Sequence, residues 1–282
     1  MINHYTLIIG SQKCGTTSLF NYLAQHPQIA PSSRKETNFF ANDEDWERSL
    51  AWYQSLWQWD PEVHRTALEA SPLYTFSQST SAKATRRIAS VDAQFKFIFI
   101  MRDPIEKIDS ARYQGYYQGW LKPSETDEVP PRLIESAQYA KQLDEYAQQF
   151  GKDSLLLLRL SVLKHEPQAC LQQVCNFLEL QPHQFAALEK IHNARNSYRE
   201  DTPWRKLSQI SLLKSAADLV PDRYKNHLRQ LLSQPGRSKK DEVPALTEAQ
   251  RRSIQQALRP DLQRLRQEYG VDIFEWDIGW SE

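Results

Sequence analysis

Gly10 and Gly15 bracket the stretch "GSQKCGTT", and the lysine of that stretch, Lys13, lies between the two glycines. A nucleotide-phosphate loop of the common kind reads G-x-x-x-x-G-K-[ST]. Its lysine follows the second glycine and reaches outward along a phosphate chain. Here Thr16 stands in that place, Thr17 and Ser18 follow, and the cation has moved three positions back. A loop of this kind before a helix aims several N–H groups at one spot, where the helix dipole adds positive potential. An anion is the natural occupant, and Lys13 would lie beside the first phosphate or its bridging oxygen. The same pattern also occurs as a tight turn that holds nothing.

A second cationic position follows an apolar run in "FIFIMRDPIEKIDS": Arg102 ends the run and Ser110 comes eight residues later. Ligands of open α/β sheets bind at the carboxyl ends of the strands. An arginine there offers a forked, permanently charged grip on phosphate, and a serine on the following helix adds a compact hydroxyl. The plainer alternative pairs Arg102 with Asp103 and leaves Ser110 on a helix surface. Glu36, in "SSRKETNFF", read from its neighbours alone, is an exposed member of a polar loop.

These residues need elements to hold them. "YTLII" at 5–9, "FKFIFIM" at 95–101 and "LLLLRL" at 155–160 are short apolar runs of buried-strand type, and 67–70 is a candidate for another. Helical patterns follow: from Thr17 to the stop at Pro27, over 105–117, and over 167–178. Strands alternating with helices imply an α/β fold with a largely parallel sheet. Residues 132–150 read as one amphipathic helix with Leu133, Ala137, Ala140, Leu143 and Ala147 inward, and 247–269 as a long polar helix. His26 reads as a helix-end residue. Two Pro- and charge-rich stretches, 121–131 and 233–244, read as surface loops or as lids over an acceptor.

The 282 residues contain 35 Lys plus Arg against 35 Asp plus Glu, so no global charge favours nucleic acid or an anionic surface. Three cysteines, Cys14, Cys170 and Cys175, argue against a disulfide framework and for a reducing compartment. Cys170 and Cys175 are spaced for different faces of one helix. The segment "MINHYTLIIG" has no basic region ahead of its apolar run, and no apolar stretch approaches membrane-spanning length. The expectation is a cytoplasmic chain of one domain over 1–282, with no nucleic-acid partner.

Together, "SQKCGTTSL" and "RDPIEKIDS" resemble the two phosphate motifs of the sulfotransferases that use 3′-phosphoadenylyl sulfate (PAPS), in the bacterial and glycan-type branch. "RKETNFF", "EASPLY" and "LKHEPQACLQQVCNFLEL" extend the resemblance over roughly 5–180. It implies a P-loop-containing nucleotide-hydrolase-like fold of three layers, a central, mostly parallel sheet flanked by helices. It implies PAPS as donor, 3′,5′-adenosine bisphosphate (PAP) as product, and no metal. Lys13, Cys14, Gly15, Thr16, Thr17 and Ser18 would hold the 5′ side and Arg102 with Ser110 the 3′-phosphate. Arg199, in "NSYRE", would join them unless it is a surface arginine. Glu36 takes the place of the catalytic glutamate in the glycan branch's E-x-x-F-F motif, and the acceptor would be a hydroxyl, less readily an amine, of a carbohydrate, lipid or small metabolite.

Departures stand beside the matches. Asn38 and Ala70 replace a histidine and a lysine common in glycan enzymes, and Lys35 is placed to substitute electrostatically. Asp109 precedes Ser110, where a charge would repel phosphate unless turned away. Ser161-Val162-Leu163 replaces an E-D-L motif. Two other readings remain: a nucleotide-dependent phosphotransferase, disfavoured by Thr16 in the lysine place, and a non-catalytic nucleotide-binding member of the fold.

Overall fold

Strand β1, His4–Gly10, is buried along six of its seven residues and is the middle strand of a five-stranded parallel sheet. The computed structural model describes residues 2–121, 128–188, 244–276 and 278–279. The other strands are β2 (Ile29–Pro31), β3 (Thr66–Ala70), β4 (Gln94–Met101) and β5 (Leu155–Arg159), in the spatial order β2-β3-β1-β4-β5. Every adjacent pair is parallel. All strands therefore end on one edge, and the chain passes from β1 to β4 only after completing the β2-β3 half. The sequence expectation held for β1, β3, β4 and β5; β2 has only three residues, too short to leave a pattern.

The helices in chain order are α1 (Thr16–Leu23), α2 (Asp43–Trp46), α3 (Leu50–Gln54), α4 (Gln78–Ala89), α5 (Pro104–Gln118), α6 (Pro131–Glu135), α7 (Tyr139–Phe150), α8 (Leu160–His165), α9 (Pro167–Phe177) and α10 (Glu248–Tyr269). The period-2 alternation of the strands sorts the core into two faces. Leu7, Ile9, Phe97, Phe99 and Met101 pack with Leu143, Tyr146, Ile254, Leu258, Leu262 and Leu265 from α7 and α10. Ile8, Leu68, Ile98 and Ile100 pack on the other face with Leu19 and Leu23 of α1 and Leu171 and Val174 of α9. The result is the expected three-layer α/β arrangement.

The single helix expected over 132–150 is two helices, broken at 136–138. Ser136 turns its hydroxyl onto the Leu133 carbonyl (2.8 Å), and α7 starts afresh at Tyr139. Asp261, from the middle of α10, accepts the amides of Ala140 (3.1 Å) and Lys141 (2.9 Å). A side chain remote in sequence thus caps α7, and burial raises the Asp261 pKa to about 6 against those two bonds. α1 begins at Thr16, one residue earlier than expected. Cys170 and Cys175, expected on different faces, are both buried in the same core cluster, and all three cysteines are free thiols. No described helix is long and apolar enough to cross a membrane.

Candidate functional site

The loop after β1 continues the sheet for one more bond, from the Ser11 amide to the Ile100 carbonyl of β4 (2.7 Å), and then turns. Lys13 at φ +69° and Gly15 at φ +91° make the turn in the left-handed region. α1 starts on Gly15 with no side chain capping it, so the amides of its first turn face outward for an external acceptor. A Cβ on Gly15 would lie 2.6 Å from Leu160 Cδ1, and one on Gly10 would lie 2.2 Å from Thr75 Oγ1. Gly10 is thus favoured by the close approach of Thr75 and the Phe99 ring, and Gly15 by its left-handed φ, which the sequence spacing alone left open.

β4 is the direct neighbour of β1, and this adjacency brings the two cationic positions together. Arg102 Nη1 donates to the Lys13 carbonyl at 3.4 Å. Arg102 Nη2 pairs with Glu106 one helical turn on, while Asp103, its partner in the plainer alternative reading, caps α5 by accepting the amides of Ile105 and Glu106. Arg102 Nε is buried and has no partner among the described residues. Burial first, and the Arg102 charge second, lower the Lys13 pKa to about 8, against the effect of Cys14. The gap between the ends of β1 and β4 therefore holds two mutually repelling cations and an unsatisfied donor, an arrangement that an anion would relieve.

Cys14 belongs to this loop but turns inward. Its thiol is fully buried 3.8 Å from the Tyr139 hydroxyl, and its amide is taken by the Ser11 carbonyl (3.2 Å). Tyr139 in turn donates to the Arg102 carbonyl (2.9 Å), so the first residue of α7 ties both halves of the site from behind. Thr16 and Ser18 are buried and Thr17 is half-buried. Ser110 is half-buried on α5, and the adjacent Asp109 is engaged by Arg112 at 3.3 Å. Arg199 lies outside the described residues, as do 122–127 of the first expected lid and 233–243 of the second.

Sequence reasoning missed two buried charges. Lys107, on the first turns of α5 and 1% exposed, donates to Ser136 Oγ (2.7 Å) and makes no ion pair among the described residues. Burial lowers its pKa to about 8; Cys14 opposes and Arg102 reinforces the shift. Glu69, in β3, is fully buried and hydrogen-bonded only by hydroxyls among the described residues. A charged residue inside an apolar strand run was the signal available for it.

Glu36 stands on the loop after β2. Its side chain is exposed and pairs with Lys35 Nζ at 2.6 Å. The Lys35 carbonyl accepts the Ala70 amide (2.9 Å), so this corner is stitched to the end of β3. β2 lies two places from β1, about 10 Å by the usual strand spacing. An acceptor and a transferable group could lie between the Glu36 corner and the Lys13 loop. His26, at the end of α1, is buried, with Nε2 2.9 Å from the Gln181 carbonyl, and takes no part in the site. Ser161 donates to Glu275. Among the described residues no cluster of His, Cys, Asp and Glu could hold a metal ion.

The family whose description is "Sulfotransferase domain" matches residues 4–266 of the chain. The human bifunctional heparan sulfate N-deacetylase/N-sulfotransferase 3 is 28% identical over 199 residues, 63% of this chain and 22% of that protein. The mouse heparan sulfate glucosamine 3-O-sulfotransferase 5 is 26% identical over 191 residues, 62% of this chain and 53% of its own length. The Dictyostelium discoideum membrane-associated sulfotransferase kil1 is 33% identical over 121 residues, 41% of this chain and 23% of that protein. The chain thus spans only part of each of these relatives. Among solved structures, a sulfotransferase from Alicyclobacillus acidocaldarius superposes with a TM-score of 0.63 at 18% identity, covering 96% of this chain and 98% of the other.

Proposed function

This chain belongs to the sulfotransferase family, and from that premise we propose that it moves the sulfuryl group of PAPS to a hydroxyl of a carbohydrate acceptor. The observation that carries the donor side is the meeting of Lys13 and Arg102 at the carboxyl edge of β1 and β4, with Arg102 Nε buried and without a partner among the described residues. The open first turn of α1, with Gly15, Thr16, Thr17 and Ser18, would hold the 5′-phosphate. Arg102, with Ser110 beyond it on α5, would hold the 3′-phosphate. Cys14 contributes loop shape, since its thiol and amide are both engaged elsewhere.

In the proposed reaction the acceptor oxygen attacks sulfur in line with the bridging oxygen. The bond from sulfur to the phosphate oxygen breaks, and PAP departs with the electron pair. Lys13 donates to that bridging oxygen, where charge develops. Glu36 takes the acceptor's proton, a role that contributes about a hundred- to ten-thousandfold where it has been measured in enzymes. Lys35, held opposite Ala70 by its main chain and touching Glu36, supplies the cation that other glycan enzymes carry at position 70. The leaving group is already a stable phosphate ester, and no step requires a metal.

A carbohydrate acceptor is favoured by the glycan chemistry named for the relatives, both N- and O-sulfating. Transfer of labelled sulfate from PAPS to a panel of N-desulfated, O-desulfated and unsulfated heparan chains tests this, with lipid and phenolic acceptors alongside. Label in an ester on glycan supports the reading. Label only on lipid or phenol moves the acceptor class, and label on none of them with intact PAP binding points to a non-catalytic binding protein.

A further inference from the structure

Glu69 accepts four hydroxyl bonds: Thr37 (2.6 Å) and Ser71 (2.7 Å) on Oε2, Tyr53 (2.8 Å) and Tyr74 (2.9 Å) on Oε1. No cation reaches it among the described residues. A carboxyl group has about four lone-pair positions, and the four hydroxyls are placed to meet them. Thr37 Oγ1 and the Tyr74 hydroxyl also lie 3.1 Å apart, so the four hydroxyls and the carboxyl group form one connected network whose oxygens can accept further bonds.

Three of them receive successive main-chain amides. Ser71 Oγ accepts from Asn38 (3.0 Å), Thr37 Oγ1 from Phe39 (3.3 Å) and the Tyr74 hydroxyl from Phe40 (3.3 Å). These are the residues directly after the Lys35–Glu36 corner. Asn38 is held at φ +53°, a conformation uncommon for a residue with a side chain, and the Ser71 bond helps to hold it there. The carboxyl group thus gathers three hydroxyls, and the hydroxyls hold the backbone that leaves Glu36. Burial raises the Glu69 pKa while the four hydroxyls oppose the shift. A buried carboxyl group is costly unless its oxygens are hydrogen-bonded, and the four hydroxyls that meet it do more than fill space.

We propose that Glu69 is a positioning residue for sulfuryl transfer: through Thr37, Ser71 and Tyr74 it holds the chain at 37–40 so that Glu36 faces the acceptor. This rests on the reading of Glu36 as the base. Glu69→Gln keeps size and hydrogen-bonding capacity but presents an NH₂ donor to two of the four hydroxyls. Those hydroxyls must then turn their own hydrogens away from position 69, and a hydroxyl that faces an amide of 38–40 meets a second donor there.

The test measures PAP affinity by calorimetry and turnover of labelled PAPS, with O-desulfated heparan as acceptor and with water as a second acceptor read as free sulfate. The proteins are the natural chain, Glu69→Gln, Glu36→Gln and the double variant. The expected result is PAP affinity within about threefold in all four, a kcat loss of tenfold or more for Glu69→Gln, and no further loss when it is added to Glu36→Gln. Equal fold-losses in both backgrounds would overturn the positioning role while leaving the base assignment standing. Natural turnover in Glu36→Gln would remove the base assignment and this inference with it. Should Glu69→Gln fail to fold, Ser71→Ala deletes one relay with the carboxylate in place, and the same comparison applies.

Discussion

The guanidinium of Arg102 donates to the main-chain carbonyl of Lys13 across 3.4 Å, so residues eighty-nine apart in the chain form one cationic edge where β1 and β4 end side by side. Arg102 also pairs with Glu106, and its charge still helps to lower the Lys13 pKa, so the two cations repel each other. An anion bound at this edge would relieve that repulsion.

The first expectation concerns the grip itself. Arg102→Gln removes a charge-assisted contact worth about 1.5–3 kcal/mol, so PAP affinity should fall roughly tenfold to a hundredfold. Lys13→Met should lower PAP affinity as well as turnover, because in PAP its proposed target oxygen already carries the charge that develops as the S–O bond breaks. Calorimetry and initial rates with the two variants distinguish these effects; unchanged PAP binding in Arg102→Gln would place the 3′-phosphate elsewhere.

Binding should also be linked to protons. The Lys13 pKa in the free protein is lowered to about 8, chiefly by burial, and a bound phosphate favours the charged form. Below that value the lysine is already protonated, and binding exchanges no proton there on its account. Above it the lysine must take up a proton to bind, so affinity declines as pH rises from about 8 toward 10. At pH 9 the heat of PAP binding should depend on the ionisation enthalpy of the buffer, and in Lys13→Met that dependence should shrink. A flat response at pH 9 would count against Lys13 as a phosphate contact.

Lys107 gives a stability prediction of its own. Its pKa is about 8 in the folded chain and near 10.5 when unfolded, so between those values the unfolded chain holds more protons. Its contribution therefore favours folding increasingly as pH rises through that window, by up to about 3 kcal/mol. Lys107→Met lacks this term. Urea unfolding at pH 7 and at pH 9.5 should show the natural chain gaining on the variant, and parallel behaviour at the two pH values would contradict a buried, unpaired ammonium.

Gly15→Ala tests the loop geometry. A side chain at φ +91° costs about 1–2 kcal/mol, and the new Cβ must also displace the end of Leu160. Thermal unfolding should register that loss, with weaker PAP binding because α1 can no longer start in the same place. Full retention of both would mean that the loop has another conformation.

Much of this was readable from the chain. Four strands, the start of α5 at Pro104 and the long C-terminal helix follow from apolar runs and proline punctuation, because those signals are local. The split between α6 and α7 was not readable, since the cap that starts α7 comes from Asp261, more than a hundred residues away. The placement of Arg102 against Lys13 followed from the family's motifs but not from spacing, which says nothing of which strands are neighbours. Glu69 looked like one more residue of "TALEA"; its meaning lies in hydroxyls from Thr37, Tyr53, Ser71 and Tyr74, which only the folded chain collects. Cys14 shows the reverse case: a residue inside the motif whose side chain faces the core.

The central claim is that the withdrawn Lys13 and the strand-end Arg102 are built for a nucleotide carrying phosphates at both 3′ and 5′ positions. Calorimetric titration of the natural chain with 3′,5′-adenosine bisphosphate, with 5′-AMP, and with ATP plus Mg²⁺ tests it most directly. The account predicts binding of the bisphosphate, weakening of at least tenfold when the 3′-phosphate is absent, and no tighter binding of ATP with Mg²⁺. Preference for ATP with Mg²⁺ over the bisphosphate would contradict it.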